Sequence, residues 1–495
     1  MKILFASSEV VPFAKTGGLA DVSGALPVQL EKLGHDVAVF MPAYQSVMNS
    51  GFALTECDVT FQIAMGQNPV EGRLFRSKLP NSNVDVYFVD QPNFFDRPGL
   101  YGDSDGDYRD NSERFIFFCR AIIEAIQSLD YWPDVIHCND WQTGLIPAYL
   151  KTDYSDERYK SIASLLTIHN LAYQGSFWHW DMSLTGMDWQ YFNWQELEFY
   201  GRLNFLKAGI VFADAISTVS ERYAAEIQGP DLGCGIEGVL QSRASDLFGI
   251  LNGIDATEWN PATDQHLVRQ YGVDDWGQGK AACKAAIQQA LGLPQTDAPL
   301  IGLVGRLASQ KGWSVILPVM KHWLEEFDVQ WVILGAGDQQ YEGALAQLAN
   351  QYPEKLGLKT GFSNALAHQI EAGADIFLMP SQYEPCGLNQ MYSLTYGTIP
   401  VVHETGGLAD TVINLTPESL AGKRANGFSF VVYSPQALES TLYLAVTTMQ
   451  QKPQTWNQLV TTGMKQDWSW SISANKYQKL YELLVRQKQL TSSAG

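Results

Sequence analysis

The chain has 495 residues, 46% of them hydrophobic and 17% charged, and a formal net charge of −20. That length exceeds a single hydrophobic core, and the composition excludes a disordered chain, so two or more globular domains are expected. The acidic balance excludes a nucleic-acid backbone as the natural partner, while a few local Arg and Lys side chains can still hold a small anion.

The amino terminus, MKILFASSEV, has one early Lys and an apolar run broken at Ser7, Ser8 and Glu9. It reads as a first β-strand and not as a signal peptide. KILFAS (2–7), DVAVFMP (36–42), VDVYFVD (84–90), DVIHC (134–138) and SLLTIHN (164–170) read as buried strands. Amphipathic segments at 20–34 and 111–129 lie between several of them. This βαβ rhythm predicts an α/β domain with a parallel, doubly wound sheet. NGIDATEWNPATD (252–264), rich in Asn, Asp and Pro, is the linker candidate. A second series then follows: PLIGLVGR (299–306), VQWVILGAG (329–337), ADIFLMPS (374–381), TIPVVHE (398–404) and FSFVVYS (428–434). The expected organisation is one Rossmann-like domain over 1–252 and another over 253–470. A helix over about 471–495 is expected to pack back on the first.

No run of 18 apolar residues occurs, so no membrane span is expected. The six cysteines, at 57, 119, 138, 234, 283 and 386, form no CxxC pair and read as reduced thiols of a cytoplasmic protein.

Several signals fail on inspection. LGAGDQQ (334–340) follows a strand, but Gln340 stands where a dinucleotide fingerprint needs its last glycine, and no P-loop is present. DSDGD (103–107) opens like a calcium loop, but Tyr108 and Arg114 replace the turn glycine and the terminal glutamate; a solvated acidic loop is expected. No metal-ligating histidine spacing and no nucleophile elbow occur, so no metal is expected.

What remains is a set of loops at strand ends. The hexapeptide TGGLAD occurs twice, at 16–21 and 405–410, each time between a strand and a helix. Glycines there let backbone N–H groups approach a ligand, and strand carboxyl ends are where doubly wound sheets bind ligands. Thr405, Gly406 and Gly407 are therefore ligand candidates in the second copy. Lys15 adjoins the first copy, and GRLASQKG (305–312) places Arg306 and Lys311 where both can converge on one anion. PSQYEPCGLNQ (380–390) presents Glu384 and turns through Pro385 and Gly387 into a helix. Cations, a carboxylate and glycine-bounded turns suit a diphosphate leaving group. The aromatic stretch 177–202, with four Trp, suits sugar rings or an ordinary core equally well. Together these features point to a nucleotide-sugar glycosyltransferase.

In order along the chain, KTGGLADV (15–22), HCNDWQTGL (137–145), HNLAYQG (169–175), GIEGVLQ (235–241), LNGID (251–255), GRLASQKG, EPCGL and TGGLAD resemble bacterial glycogen synthases and plant starch synthases. The resemblance spans essentially the whole chain. It implies the GT-B plan of two facing Rossmann-like domains with an interdomain active-site cleft. It further implies retaining, metal-independent transfer of glucose from ADP-glucose to the non-reducing end of an α-1,4-glucan, with no cofactor. By the same resemblance Lys15, Arg306 and Lys311 hold the diphosphate, with the Gly18 backbone near it. Glu384 contacts the donor glucose beside the Cys386–Gly387–Leu388 backbone, and His169 and Asn252 orient that glucose. Asp21, Asp140 and Trp141 line the donor and acceptor side, Glu9 lies on the acceptor side, and Phe362 stacks on the base. Two departures stand out: Asn389 replaces a Thr near the phosphates, and Phe362 replaces a Tyr. Tyr392 stands where the wider retaining superfamily has a second Glu, a feature that the bacterial subgroup shares. Retention by a covalent route needs two carboxylates about 5 Å apart. With none apparent, a front-face substitution is expected.

Overall fold

The computed structural model describes residues 1–66 and 68–493. The chain divides into two compact units, one of Met1–Asn252 with the segment from Trp470 onward, the other of Gly253–Ser469.

The first unit is built on a nine-stranded sheet in the order Leu247–Gly249, Ala215–Thr218, Ala163–Ile168, Val135–Asn139, Lys2–Ala6, Asp36–Pro42, Asp85–Asp90, Asn68–Lys78, Thr55–Met65. Seven of these strands run parallel, and most are continuous apolar runs because helices cover both faces. The last two form an antiparallel hairpin that extends one edge. Part of Thr55–Met65 alternates between exposed and covered residues, the signature of a strand with one wet face, which a search for buried runs overlooks. The sheet reverses its order between Lys2–Ala6 and Val135–Asn139, so the loops beginning at Ser7 and Asp140 leave from the switch point. The helix Trp470–Ser493 buries Trp470, Tyr477 and Tyr481 in this unit's core, and the Tyr481 hydroxyl meets His137 Nδ1 at 2.7 Å.

The second unit has six parallel strands in the order Leu356–Thr360, Gln330–Gly335, Leu300–Val304, Ile376–Met379, Ile399–His403, Phe428–Phe430. Its switch point lies between Leu300–Val304 and Ile376–Met379. The loops leaving it carry Arg306 and Lys311 from one strand and Glu384 from the other.

The acidic run at 103–107 is an exposed tight hairpin. None of the six cysteines forms a disulfide. Among the described residues no helix is long and apolar enough to cross a membrane.

Candidate active site

In the second unit Lys311, Ser381 and Glu384 form one hydrogen-bonded cluster. Lys311 Nζ donates to Glu384 Oε2 at 2.5 Å, and the Ser381 hydroxyl donates to the same oxygen at 2.9 Å. Glu384 is buried while Lys311 is partly open, so the ammonium compensates a carboxylate that water barely reaches. Arg306, five residues earlier, is exposed, and its side chain makes no ion pair or hydrogen bond among the described residues. One engaged cation and one unengaged cation thus stand on the loop after Leu300–Val304, facing the carboxylate from the loop after the adjacent strand Ile376–Met379. Ser381 was not singled out from sequence, although it sits three residues before Glu384 in the same loop. Phe362 is 90% exposed on the turn after Leu356–Thr360, leaving a ring face open for stacking. Tyr392 packs its ring on Trp259, centroids 3.7 Å apart and nearly parallel, and Trp259 stacks in turn on His368 at 3.8 Å. No second carboxylate occupies that position.

The second TGGLAD copy is a packing element. Gly406 and Gly407 are buried, and the Gly407 N–H donates to the carbonyls of Glu384 and Pro385. A Cβ on Gly406 would lie 2.1 Å from Glu384 O, and one on Gly407 2.0 Å from Cys386 O. Gly406 also has φ +44°, in the left-handed region. Thr405, only 3% exposed, precedes the helix Gly406–Thr411 without capping it through its side chain. Thr405, Gly406 and Gly407, expected from sequence as ligand candidates, lie where Gly406 and Gly407 pack closely on the Glu384–Cys386 backbone. Gly387, at φ +68°, turns that loop toward Leu388 and the helix Asn389–Thr395.

The first copy is built the other way. Residues 15–18 are exposed, and a Cβ on Gly17 or Gly18 would meet nothing within 4 Å. Lys15 Nζ pairs with Asp21 Oδ1 at 2.7 Å across this open turn.

Glu9 holds the turn in place. Its Oε2 accepts the N–H groups of Thr16 (2.5 Å) and Gly17 (3.1 Å). Its Oε1 accepts the hydroxyls of Thr16 (2.5 Å) and Tyr101 (2.8 Å). The carboxylate is 4% exposed and accepts from four donors, which shape the glycine loop. Glu9→Gln replaces an acceptor by an amide that opposes these donors, at about 1.5–3 kcal/mol per charge-assisted bond lost. The expected result is a fall in kcat of at least about tenfold with the glucan KM unchanged. A raised glucan KM at constant kcat would support the acceptor role.

Asp140 and His169 form a parallel arrangement at the neighbouring strand ends. Asp140 has φ +55°, and its Oδ1 accepts the His169 N–H at 2.7 Å. Burial pushes its carboxyl up to about 7, against the pull of the backbone N–H groups of His169 and Asn170. Asn139 Nδ2 donates to Ala6 O at 3.0 Å, so its Oδ1 accepts from His169 Nε2 at 2.9 Å. His169 Nδ1 is thereby left as an acceptor. Burial lowers the imidazole pKa to about 3, so the ring is neutral at pH 7. Asn139, unnoticed in sequence beside Asp140, sets this tautomer.

Trp141 is buried, edge-on to Phe115 at 4.8 Å and against Phe177 at 5.5 Å. It braces the loop through these ring contacts. Asn252 is 6% exposed with its Oδ1 buried and unpartnered, an acceptor waiting for a donor. In the 177–202 stretch Trp178, Trp180, Trp189 and Trp194 are 44–75% exposed, which removes the core reading for these four rings. Among the described residues no three His, Cys, Asp or Glu side chains gather as a metal site.

Residues 2–242 match the starch synthase catalytic domain, and residues 285–457 match the glycosyl transferases group 1 family. The chain is 50% identical over 494 residues to glycogen synthase of Rhodopirellula baltica, covering 97% of each. It is 48% identical to glycogen synthase of Syntrophotalea carbinolica, over 98% of this chain and 99% of that one. Its structure resembles the catalytic domain of starch synthase IV from Arabidopsis thaliana bound to ADP and acarbose. The TM-score is 0.89 at 31% identity, over 98% of this chain and 99% of that one. Sucrose-phosphate synthase from Thermosynechococcus elongatus, at 17% identity and a TM-score of 0.60, shares the fold. With half its residues identical to a glycogen synthase along nearly the full length, and with two Rossmann-like units of the GT-B type, the chain belongs to the glycogen and starch synthase family of hexosyltransferases.

Proposed function

We propose that the protein transfers glucose from ADP-glucose to the non-reducing end of an α-1,4-glucan, with retention and without a metal. The observation that carries this reading is the Lys311–Glu384 pair beside the unengaged Arg306 at the switch point of the second sheet. Arg306 suits a bidentate grip on a diphosphate and Lys311 a point contact. The exposed ring of Phe362 suits a nucleobase. The starch synthase IV domain, which binds ADP, supports adenine as that base.

Glu384 is held by Lys311 and Ser381, which stabilise its charge and lower its nucleophilicity. Retention is then assigned to front-face substitution. The bond from the anomeric carbon to the β-phosphate oxygen breaks while the bond to the acceptor hydroxyl oxygen forms on the same face. The hydroxyl proton passes to the departing phosphate oxygen. Arg306 and Lys311 stabilise the charge that develops there. In the first unit, neutral His169 can accept a sugar hydroxyl through Nδ1, and the exposed Lys15 can meet an anion. A cytoplasmic setting accords with six cysteines that form no disulfide.

The test is incorporation of labelled glucose into glycogen from ADP-glucose and from UDP-glucose, each with and without excess EDTA. EDTA-insensitive incorporation from ADP-glucose is expected. Preference for UDP-glucose would overturn the donor, sensitivity to EDTA the metal-free chemistry, and no incorporation from either the whole reading.

A further inference from the structure

The second unit holds a cavity of about 640 Å³ for which the transfer reaction has no use. One wall is the turn Lys423–Arg424, and the other is the helix Pro453–Met464 with the residues just after it. The turn precedes Phe428–Phe430, which puts the cavity at the amino ends of the parallel strands. Arg306, Lys311 and Glu384 leave from the carboxyl ends, at the opposite edge of the same sheet.

Three of the nine lining residues are charged, and all three are cations: Lys423, Arg424 and Lys465. In a chain with 53 Asp and Glu against 33 Lys and Arg, a cavity lined without a carboxylate runs against the composition. All three cations are exposed, and none makes an ion pair or a side-chain hydrogen bond among the described residues. Like charges gathered without a counter-ion repel one another, and a bound anion removes that cost.

The neutral lining defines the rest of the ligand. Ile413 is its one apolar side chain, and the other five are amides and hydroxyls, Gln458 and Thr461 among them. No aromatic ring lines the cavity, so a nucleobase finds no face to stack on. The volume falls in the range of small-molecule sites, about 300–1,000 Å³. It leaves room beside a phosphate for a body rich in hydroxyls, which the amides and hydroxyls of the lining match.

Hydrogen bonds tie the walls together. Asn426, completely buried, accepts the Ile413 N–H through Oδ1 at 2.7 Å. Its Nδ2 donates to Thr411 O and to Gln466 Oε1, both at 2.9 Å. Gln458 Nε2 donates to Leu420 O at 2.8 Å, and the Arg424 N–H donates to Ser419 O at 2.9 Å. The helix and the turn are thereby fixed relative to each other, which lowers the ordering cost of binding.

We propose that this cavity binds a phosphorylated sugar, at a site separate from the one that holds Glu384. Lys423, Arg424 and Lys465 take the phosphate, with one guanidinium fork and two point charges. Gln458 and Thr461 meet the sugar hydroxyls.

The experiment is isothermal titration of the full chain with glucose 1-phosphate, ribose 5-phosphate, inorganic phosphate and glucose, at low ionic strength. It compares the wild type with Lys423→Asn, Arg424→Gln, Lys465→Gln and Arg306→Ala, with melting temperatures confirming folding. Asn suits position 423 because it tolerates the left-handed φ of +52° there. At least one sugar phosphate is expected to bind the wild type more tightly than inorganic phosphate or glucose does. Each cavity variant should weaken it about three- to tenfold and leave the KM for ADP-glucose unchanged. Arg306→Ala should still bind it. Binding lost in Arg306→Ala but kept in the cavity variants would move the ligand to the catalytic site and overturn the proposal. Inorganic phosphate bound as tightly as the sugar phosphates would remove the sugar, and glucose bound as tightly would remove the phosphate; either result overturns the assignment. So does a wild type that binds neither sugar phosphate.

Discussion

Lys311→Ala is expected to lower kcat by about 10²–10³, the usual cost of one preorganised contact to developing charge, while glycogen binding is preserved. Two losses coincide in this variant. The departing diphosphate loses a cation, and Glu384, buried and 2.5 Å from Nζ, loses the charge that compensates it. The carboxylate retains only the Ser381 hydroxyl at 2.9 Å and must shift or protonate. Arg306→Ala makes the control, because the exposed guanidinium supports nothing else in the free protein. It should raise the donor KM and lower kcat without changing the melting temperature, whereas Lys311→Ala should lower that temperature as well. Lys311→Arg should not rescue, since a planar fork cannot reproduce a point contact in a partly buried slot. Steady-state kinetics with ADP-glucose and glycogen, alongside thermal melts, separate these outcomes. An unchanged kcat in Lys311→Ala would remove the lysine from the reaction.

The parts of this molecule that were legible in the sequence are those whose cause is local. Lys2–Ala6, Asp36–Pro42 and Ile399–His403 announce themselves because parallel strands covered on both faces must be apolar throughout. Arg306, Lys311 and Glu384 were legible because the strand-end loops that carry them are short and rich in glycine and proline. What a side chain turns toward was not legible. Glu9 is an acid at a strand end in either reading, and only its four donors, one of them on Tyr101, reveal a loop holder. Nothing near Trp141 in the sequence tells that Phe115 and Phe177 pack against its ring. The His137–Tyr481 contact joins residues 344 apart, and no local pattern encodes it. Asn389 is a plain amide in the sequence; its contacts with Val304 O and with Glu371, 18 residues upstream, come from the fold.

The repeated hexapeptide is the sharpest case, because identical letters predict opposite responses to the same substitution. Gly407→Ala should destabilise the second unit by about 1–3 kcal/mol or more, the cost of forcing atoms into a filled space. Its new methyl would stand 2.0 Å from Cys386 O and 2.5 Å from Cys386 Cα, and neither is a flexible side-chain tip that can swing away. Because the obstructed backbone is the loop that presents Glu384, relief of the clash displaces the carboxylate. A misplacement of about 1 Å at a reacting centre costs about 10² in rate. Gly18→Ala meets no atom within 4 Å and opens the helix Gly18–Lys32, so the melting temperature should stay level or rise slightly. If the open turn exists so that a ligand can approach its backbone, the same methyl should weaken ADP-glucose by at least about tenfold, about 1.4 kcal/mol. Thermal melts and donor KM values for the two variants read both halves. A stable, active Gly407→Ala would refute the close packing, and a Gly18→Ala enzyme with unaltered donor KM would leave the first copy as a bare turn held by Glu9.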